Sequence, residues 1–213
     1  MRWMVLGSSP SAPEHHNTPD VDVSISSGDG ILLRSPTYYL IVEESAIWRH
    51  PKERQRAQND GTKVLLTDNL VNSVRGAKFQ KFLDRTSKYM FPYDELVRCN
   101  VPIRKNSWKS WRRGSYIRSC SGVVALQYAI NHGATDIHMV GMEGYTALEG
   151  PQYFNGQPAN NKSHRFAQMC HFPLTQRIIA QCPDVSFTTY GRLTYDLFGD
   201  NVTHLRDEDK VPV

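Results

Sequence analysis

Glu143 and Tyr145 stand just behind a short apolar run, Ile137–Val140. In open α/β sheets ligands lie outside the carboxyl ends of the strands, so residues that follow a strand are the first candidates for chemistry. A second candidate is Gly7-Ser8-Ser9-Pro10-Ser11, which follows the apolar run Trp3–Leu6. Glycine and serine let a ligand approach the backbone, and free amides in such a turn can cradle a phosphate. Read alone, the same turn is an ordinary strand ending. Two further runs end in a similar way. Val21–Ile25 passes into Ser26-Ser27-Gly28-Asp29-Gly30, and Tyr38–Val42 into Glu43-Glu44-Ser45. The repetition points to a common rim where a ligand lies.

Such turns need strands and helices to hold them. Trp3–Leu6, Val21–Ile25, Tyr38–Val42, Lys63–Leu66, Asp136–Val140 and Val185–Thr189 read as strands, rich in β-formers or bounded by turn residues. Between them lie helical stretches. One is capped by Ser45, carries Ala46, Ile47 and Trp48, and stops at Asn59-Asp60-Gly61. A second crosses Leu70–Leu83 behind Asp68 or Asn69, and a third runs from Gly122 to His132 and ends at Gly133. A fourth opens at His164, with Phe166, Met169, Phe172 and Ile178 on its apolar side. The alternation predicts an α/β fold: a Rossmann-like, mostly parallel sheet with helices on both faces and a small lid insertion. Residues 1–200 form one Rossmann-like domain on this reading, with the lid at 144–163 and a loose charged tail at 201–213.

Residues 86–115 break the rhythm, mixing Tyr89, Phe91, Tyr93, Trp108 and Trp111 with Arg104, Lys105, Lys109, Arg112 and Arg113. Interleaved cations and rings can grip a sugar, a phosphate or single-stranded nucleic acid. The plainer reading, a solvated basic loop whose Trp rings pack on the domain, is preferred, so nucleic acid is the less favoured partner. The 213 residues, 39% hydrophobic and 22% charged, suit a soluble globular chain, and a net charge of +4 tolerates a phosphate-bearing ligand. Cys99, Cys120, Cys170 and Cys182 are scattered without a Cys-x-x-Cys pair, which argues for a reducing compartment. No run reads as a signal peptide or membrane span, so a cytoplasmic location is expected, and homo-oligomers are compatible with it. His15-His16 has no ligand-spaced partner, and no metal site is expected.

The order Gly7-x-x-Pro10-Ser11, Arg118-x-x-Ser121-Gly122, Gly141-x-Glu143-x-Tyr145, a loop to Tyr153, then His164 before a helix resembles the bacterial sialyltransferases of glycosyltransferase family 42. These are the Campylobacter-type enzymes that use CMP-sialic acid. The resemblance spans roughly residues 3–190. It implies a metal-independent, inverting sugar transfer with no cofactor besides the nucleotide-sugar donor, to an acceptor hydroxyl. His164 matches the family's general base, with His171 as the alternate. Tyr145 and Tyr153 match the tyrosines that hydrogen-bond the departing phosphate, and Arg118 the active-site arginine. Gly7, Ser8, Ser9, Ser11, Ser121 and Gly122 match donor-side positions. Two family asparagines that hold the donor are replaced here by Ser27 and by Glu43 or Glu44. An acid there repels a negatively charged sugar, which implies another nucleotide sugar or a cation.

The chemistry is consistent with those roles. Glycosyl transfer leaves a phosphate with growing negative charge, which aimed hydroxyl donors and a guanidinium stabilise. An imidazole suits removal of the acceptor proton. Glu143 also reads as a loop-orienting partner of Arg118. Two rivals remain. One is a Mg²⁺-dependent pyrophosphokinase resembling archaeal hydroxymethylpterin diphosphokinases, with Asp29, Glu43 and Glu143 as metal ligands. The other is a non-catalytic module that binds anionic ligands on the same fold.

Overall fold

Short apolar runs become strands here because both of their faces are covered. The structure is a computed structural model that describes residues 1–43, 46, 49–68, 93–99, 106–142, 167–191 and 197–205. It contains strands β1 (Arg2–Leu6), β2 (Val23–Ser27), β3 (Tyr38–Ile41), β4 (Lys63–Thr67), β5 (Glu95–Val97), β6 (Asp136–Val140), β7 (Ser186–Tyr190) and β8 (Val202–Leu205). They form one sheet in the order β5-β4-β3-β2-β1-β6-β7-β8. Every pairing is parallel. The register sets Leu6 beside both Ser26 and Val140, and Ser27 beside Leu40, so the strands end along a common rim.

The order has one reversal. From β1 the chain steps outward through β2, β3, β4 and β5, then returns to the other side of β1 as β6. Parallel crossovers are right-handed, so connections made in opposite directions must lie on opposite faces. The helices follow that rule. Helix α1 (Ala12–His15) puts Ala12 against Met4, Leu6 and Val140, and α2 (Pro51–Asn59) puts Ala57 against Tyr39, Ile41 and Val64. Helices α3 (Ser121–Asn131) and α4 (Phe172–Ala180) cover the other face, packing on Trp3, Val5, Ile25, Leu40, Ile137 and Phe187. Along β1 the side chains therefore alternate between two dry layers, which explains why the whole run is apolar.

Helix α3 is the central piece of that second layer. Val123 through Ile130 are all buried, so the helix is wrapped on every side. Each Leu or Ile so buried contributes roughly 1.5–3 kcal/mol. Its far end is pinned by aromatics: Tyr128 meets Tyr38 edge-on at 5.4 Å, and Tyr38 stacks on Trp3 at 5.8 Å. The Tyr128 hydroxyl donates to Glu95 Oε2 at 2.7 Å, tying α3 to the edge strand β5.

Several expectations need correction. Of the helix read from Ser45, Ala46 is helical, and the helix over Pro51–Asn59 carries Pro in its first turn. Proline disfavours right-handed helix in the residue before it, and His50 takes φ 53. Within 86–115 there is a strand, β5, and Trp111 is wholly buried in the core. Arg113 pairs with Asp184 at 2.8 Å, while Lys109 and Arg112 are exposed. That arrangement matches the solvated basic loop. The loose tail read from 201 does not hold for Val202–Leu205, which form β8. Met169 is exposed, and the buried side of α4 is Leu174, Thr175, Ile178 and Ile179. The expected helix across 70–83 and the lid at 144–163 lie outside the described residues. Among the described residues no helix is long and apolar enough to cross a membrane.

At the reversal, the turns after β1 and β6 are zipped together. Gly7 N–H donates to Val140 O at 2.8 Å, and Ser9 N–H to Gly141 O at 3.1 Å. A Cβ on Gly7 would lie 2.2 Å from Gly141 O, and Gly141 itself has φ +65. Gly7→Ala is therefore expected to lower the unfolding free energy by about 3 kcal/mol in urea titration. A loss under about 0.5 kcal/mol would show that the two turns can part freely.

Candidate functional site

Ligands of doubly wound sheets bind where the strand order reverses, at the carboxyl ends. Here that place is the end of β1 and β6. Ser8 joins the β1 turn to the turn after β2, accepting the Asp29 N–H at 3.1 Å and lying 3.5 Å from Ser27 O. Gly28, at φ +57, leaves room for it: a Cβ there would be 3.0 Å from Ser8 Oγ. Met142, just past β6, closes the group. Its side chain would lie 3.3 Å from a Cβ on Gly7 and 3.0 Å from one on Gly122. Gly7, Ser8, Ser9, Ser27, Ser121 and Gly122 thus belong to one rim, with Ser11 at the start of α1 and the exposed Glu43 just beyond β3.

Asp29 behaves differently from its expected role as a metal ligand. It is buried, and its Oδ1 lies 2.8 Å from His50 Nε2 and 4.0 Å from Arg49 Nη1. A buried carboxylate needs such partners to remain charged. Beneath it, Tyr39 donates to Gly28 O at 3.0 Å. Burial pushes the Tyr39 phenol up to about 12, against the pull of Arg54. Among the described residues no three His, Cys, Asp or Glu side chains are placed to hold a metal ion.

A cluster of polar side chains lies at the first turn of α3. Buried Gln127 fixes the chain that enters the helix, accepting Ile117 N–H at 2.7 Å and donating to Ile117 O at 3.0 Å. The next residues, Arg118, Ser119 and Cys120, are thereby set over the helix N-terminus, with Cys120 as its N-cap. Arg118 is exposed and Ser119 buried. From the opposite side comes His171. It ends a π-helical turn, Ala167–His171, and leads into α4, whose Thr175 hydroxyl donates to His171 O at 3.0 Å. A π turn adds a residue to the repeat and re-aims a side chain, which is why such turns recur at functional sites.

The buried His171 ring meets Ser119 Oγ at 2.6 Å and Cys120 N at 3.3 Å, both at Nδ1. Burial alone would lower His171. The charge of the Cys120 sulfur, its hydrogen bond and the Glu43 carboxylate outweigh burial, so the ring titrates above its ordinary range. Burial would likewise raise Cys120, but the His171 charge and hydrogen bond, helped by the Val123 amide and Ser119, pull the thiol below its ordinary range.

The structure thus joins Gly7, Ser8, Ser9, Ser27, Ser121 and Gly122, and it sets Glu43 near His171. His164, Tyr145, Tyr153 and Glu143 lie outside the described residues. Ser119, Cys120, Met142 and the Asp29–His50 pair were not singled out in these roles by the sequence. The one usable signal was Cys120 at the N-cap position before Ser121-Gly122.

No protein-family model and no curated protein matches the chain. The class defined by sheet and rim is a doubly wound α/β fold with its ligand edge at the β1/β6 reversal. Among solved structures, the architecture is similar to the sialyltransferase CstII from Campylobacter jejuni, determined in complex with the substrate analogue CMP-3FNeuAc. The TM-score is 0.51 at 12% identity, covering 88% of this chain and 81% of that one. The likeness is one of fold.

Removing the Glu43 charge should release His171 toward the ordinary imidazole range. In Glu43→Gln, the NMR titration midpoint of the His171 ring is expected to move down. An unmoved midpoint would mean that the carboxylate does not act on the ring.

Proposed function

We propose that the chain is a glycosyltransferase that moves a sugar from a nucleotide-activated donor, with a CMP-sugar favoured, to an acceptor hydroxyl. The observation that carries this reading is the convergence of His171, the first turn of α3 and the Gly/Ser turns of β1 and β2 on one reversal rim. The fold shared with a transferase solved around a CMP-linked analogue supports it. Direct attack inverts the anomeric carbon. The acceptor oxygen forms the new bond, its proton passes to an imidazole, and the donor phosphate leaves with the electron pair of the broken C–O bond.

His171, which meets Ser119 Oγ beside the first turn of α3, is taken as the general base, and His164 is the other imidazole weighed for that role. Tyr145, Tyr153 and Arg118 take the leaving phosphate, and the amides of the first turn of α3 add partial positive charge. No metal is required, since hydroxyl donors and a cation cover the developing charge. A Mg²⁺-dependent phosphotransfer would need Asp29 free, whereas it is committed to His50.

A thermal-shift screen of CMP, UDP, GDP and ATP, with and without EDTA, is expected to pick CMP independently of metal. His171→Ala should cost at least ~10²-fold in transfer while CMP still stabilises the protein, and His164→Ala should cost less. Retained transfer in the His171 variant would remove it as the base. Because His171 is held above its ordinary 6.5, kcat/KM should rise with pH through a midpoint above that value as the ring loses its proton. A midpoint below it would exclude this ring.

A further inference from the structure

His50 is the N-cap of α2, yet its ring does not cap the helix. The ring turns instead to the buried Asp29, whose Oδ1 lies 2.8 Å from His50 Nε2. His50 takes φ 53 and ψ 46, a left-handed backbone that is costly for a residue with a side chain. Strain of this kind persists where the surroundings fix it, and it clusters at ligand clamps. The Asp29 side chain is 3% exposed, whereas His50 is 24% exposed and Arg49, 4.0 Å from the same oxygen, is 45% exposed. Asp29 thus anchors two side chains from below and leaves their outer parts toward solvent. With Nε2 on Asp29, Nδ1 is the ring nitrogen left for a ligand, and among the described residues no hydrogen-bond partner meets it.

Position in the sheet shows what such a pair would meet. Asp29 follows β2, and its N–H donates to Ser8 Oγ at 3.1 Å, which ties the pair to the Gly/Ser turn of β1. Tyr39 holds the same turn from beneath, donating to Gly28 O at 3.0 Å. His50 and Arg49 follow β3, which only β2 separates from β1. Strands two apart are about 10 Å from each other, a span that a ribose phosphate can bridge. In doubly wound sheets the phosphate lies at the first turn, and an acid after the second strand takes the ribose hydroxyls. Here that acid is buried, and its place at the surface is taken by the imidazole and the guanidinium beside it. We propose that His50 and Arg49, set in place by Asp29, bind the ribose hydroxyls of the nucleotide donor. This rests on the nucleotide-donor reading above. A hydroxyl both gives and takes hydrogen bonds, so it fits Nδ1 in either protonation state of the ring, and it also accepts from the guanidinium. A further anion fits less well, because Asp29 already sets a carboxyl group against both side chains.

The test separates hydroxyl recognition from a structural role. Isothermal titration of the intact protein compares CMP with 2′-deoxy-CMP, and AMP with 2′-deoxy-AMP so that a different base is also caught. The wild type is expected to bind the ribonucleotide about tenfold more tightly than its deoxy analogue, which leaves a polar partner unmatched. His50→Gln keeps an amide nitrogen for Asp29 and removes Nδ1. Arg49→Gln removes the guanidinium from a half-exposed position. Each variant should bring the ratio below about threefold while binding of the deoxynucleotide changes little. Loss of a purely structural side chain would weaken both nucleotides alike and leave the ratio intact. If His50→Gln does not fold, Arg49→Gln decides. The proposal is overturned if the wild type binds ribo- and deoxyribonucleotide alike, or if the preference survives in a folded variant; either result leaves the donor reading standing. Failure of every nucleotide to bind would overturn the donor reading and this one with it.

Discussion

β1 and β6 run side by side where the chain reverses its travel across the sheet, and their ends stay in contact because neither Gly7 nor Gly141 bears a side chain. With 2.2 Å between a would-be Cβ and a carbonyl oxygen, the two turns behave as a single piece of backbone. The rest of the rim is referenced to that contact. Ser8 reaches from it to the β2 turn, Met142 reaches from it to Gly122, and Gly122 lies in the first turn of α3. A displacement at the reversal would therefore move the Gly/Ser turns and the Cys120–His171 corner together. This constraint lies on the packing link of the chain from sequence to function, and it fixes the geometry before any charge is considered.

A second constraint acts on the other side of the rim. Asp29 is buried, with His50 and Arg49 against its carboxyl group. His50 accepts a left-handed backbone to reach it, a conformation that costs a non-glycine residue roughly 1–3 kcal/mol. The charge pair offsets this, because a buried carboxylate left without a partner costs about 3–5 kcal/mol. The arrangement locks the turn after β2 to the start of α2, and it removes Asp29 from the set of free carboxylates.

Much of this was legible in the sequence, for physical reasons. Trp3–Leu6 and Asp136–Val140 read as strands because burial on both faces leaves a continuous apolar signature. The end of α3 was readable because Gly133 takes φ +82, which glycine adopts at little cost. β5 and β8 were not legible, because edge strands are short and half-exposed: Val202–Leu205 alternates between intermediate and exposed positions and lacks an apolar run. The Asp29–His50 pair joins residues 21 apart, and Ser119 meets His171 across 52. No periodicity reports contacts of that range. His171 could be weighed as the alternate base, but its partnership with Cys120 exists only once α3 and α4 share a face.

Glu43 shows how the same residue changes meaning once its surroundings are known. In sequence it stands where a neutral amide would suit an anionic sugar, and an isolated carboxylate there would repel the donor. In the structure its field falls on His171 and strengthens the ring's hold on a proton. The Cys120 sulfur acts on the ring in the same sense as the carboxylate. An anion approaching the first turn of α3 meets those side chains as well as the exposed Arg118 and the helix amides. Arg118 and the helix amides thus offer positive charge at the same turn, and part of the Glu43 field acts on the ring. An acidic residue at this rim is therefore compatible with a negatively charged donor so long as His171 remains beside it.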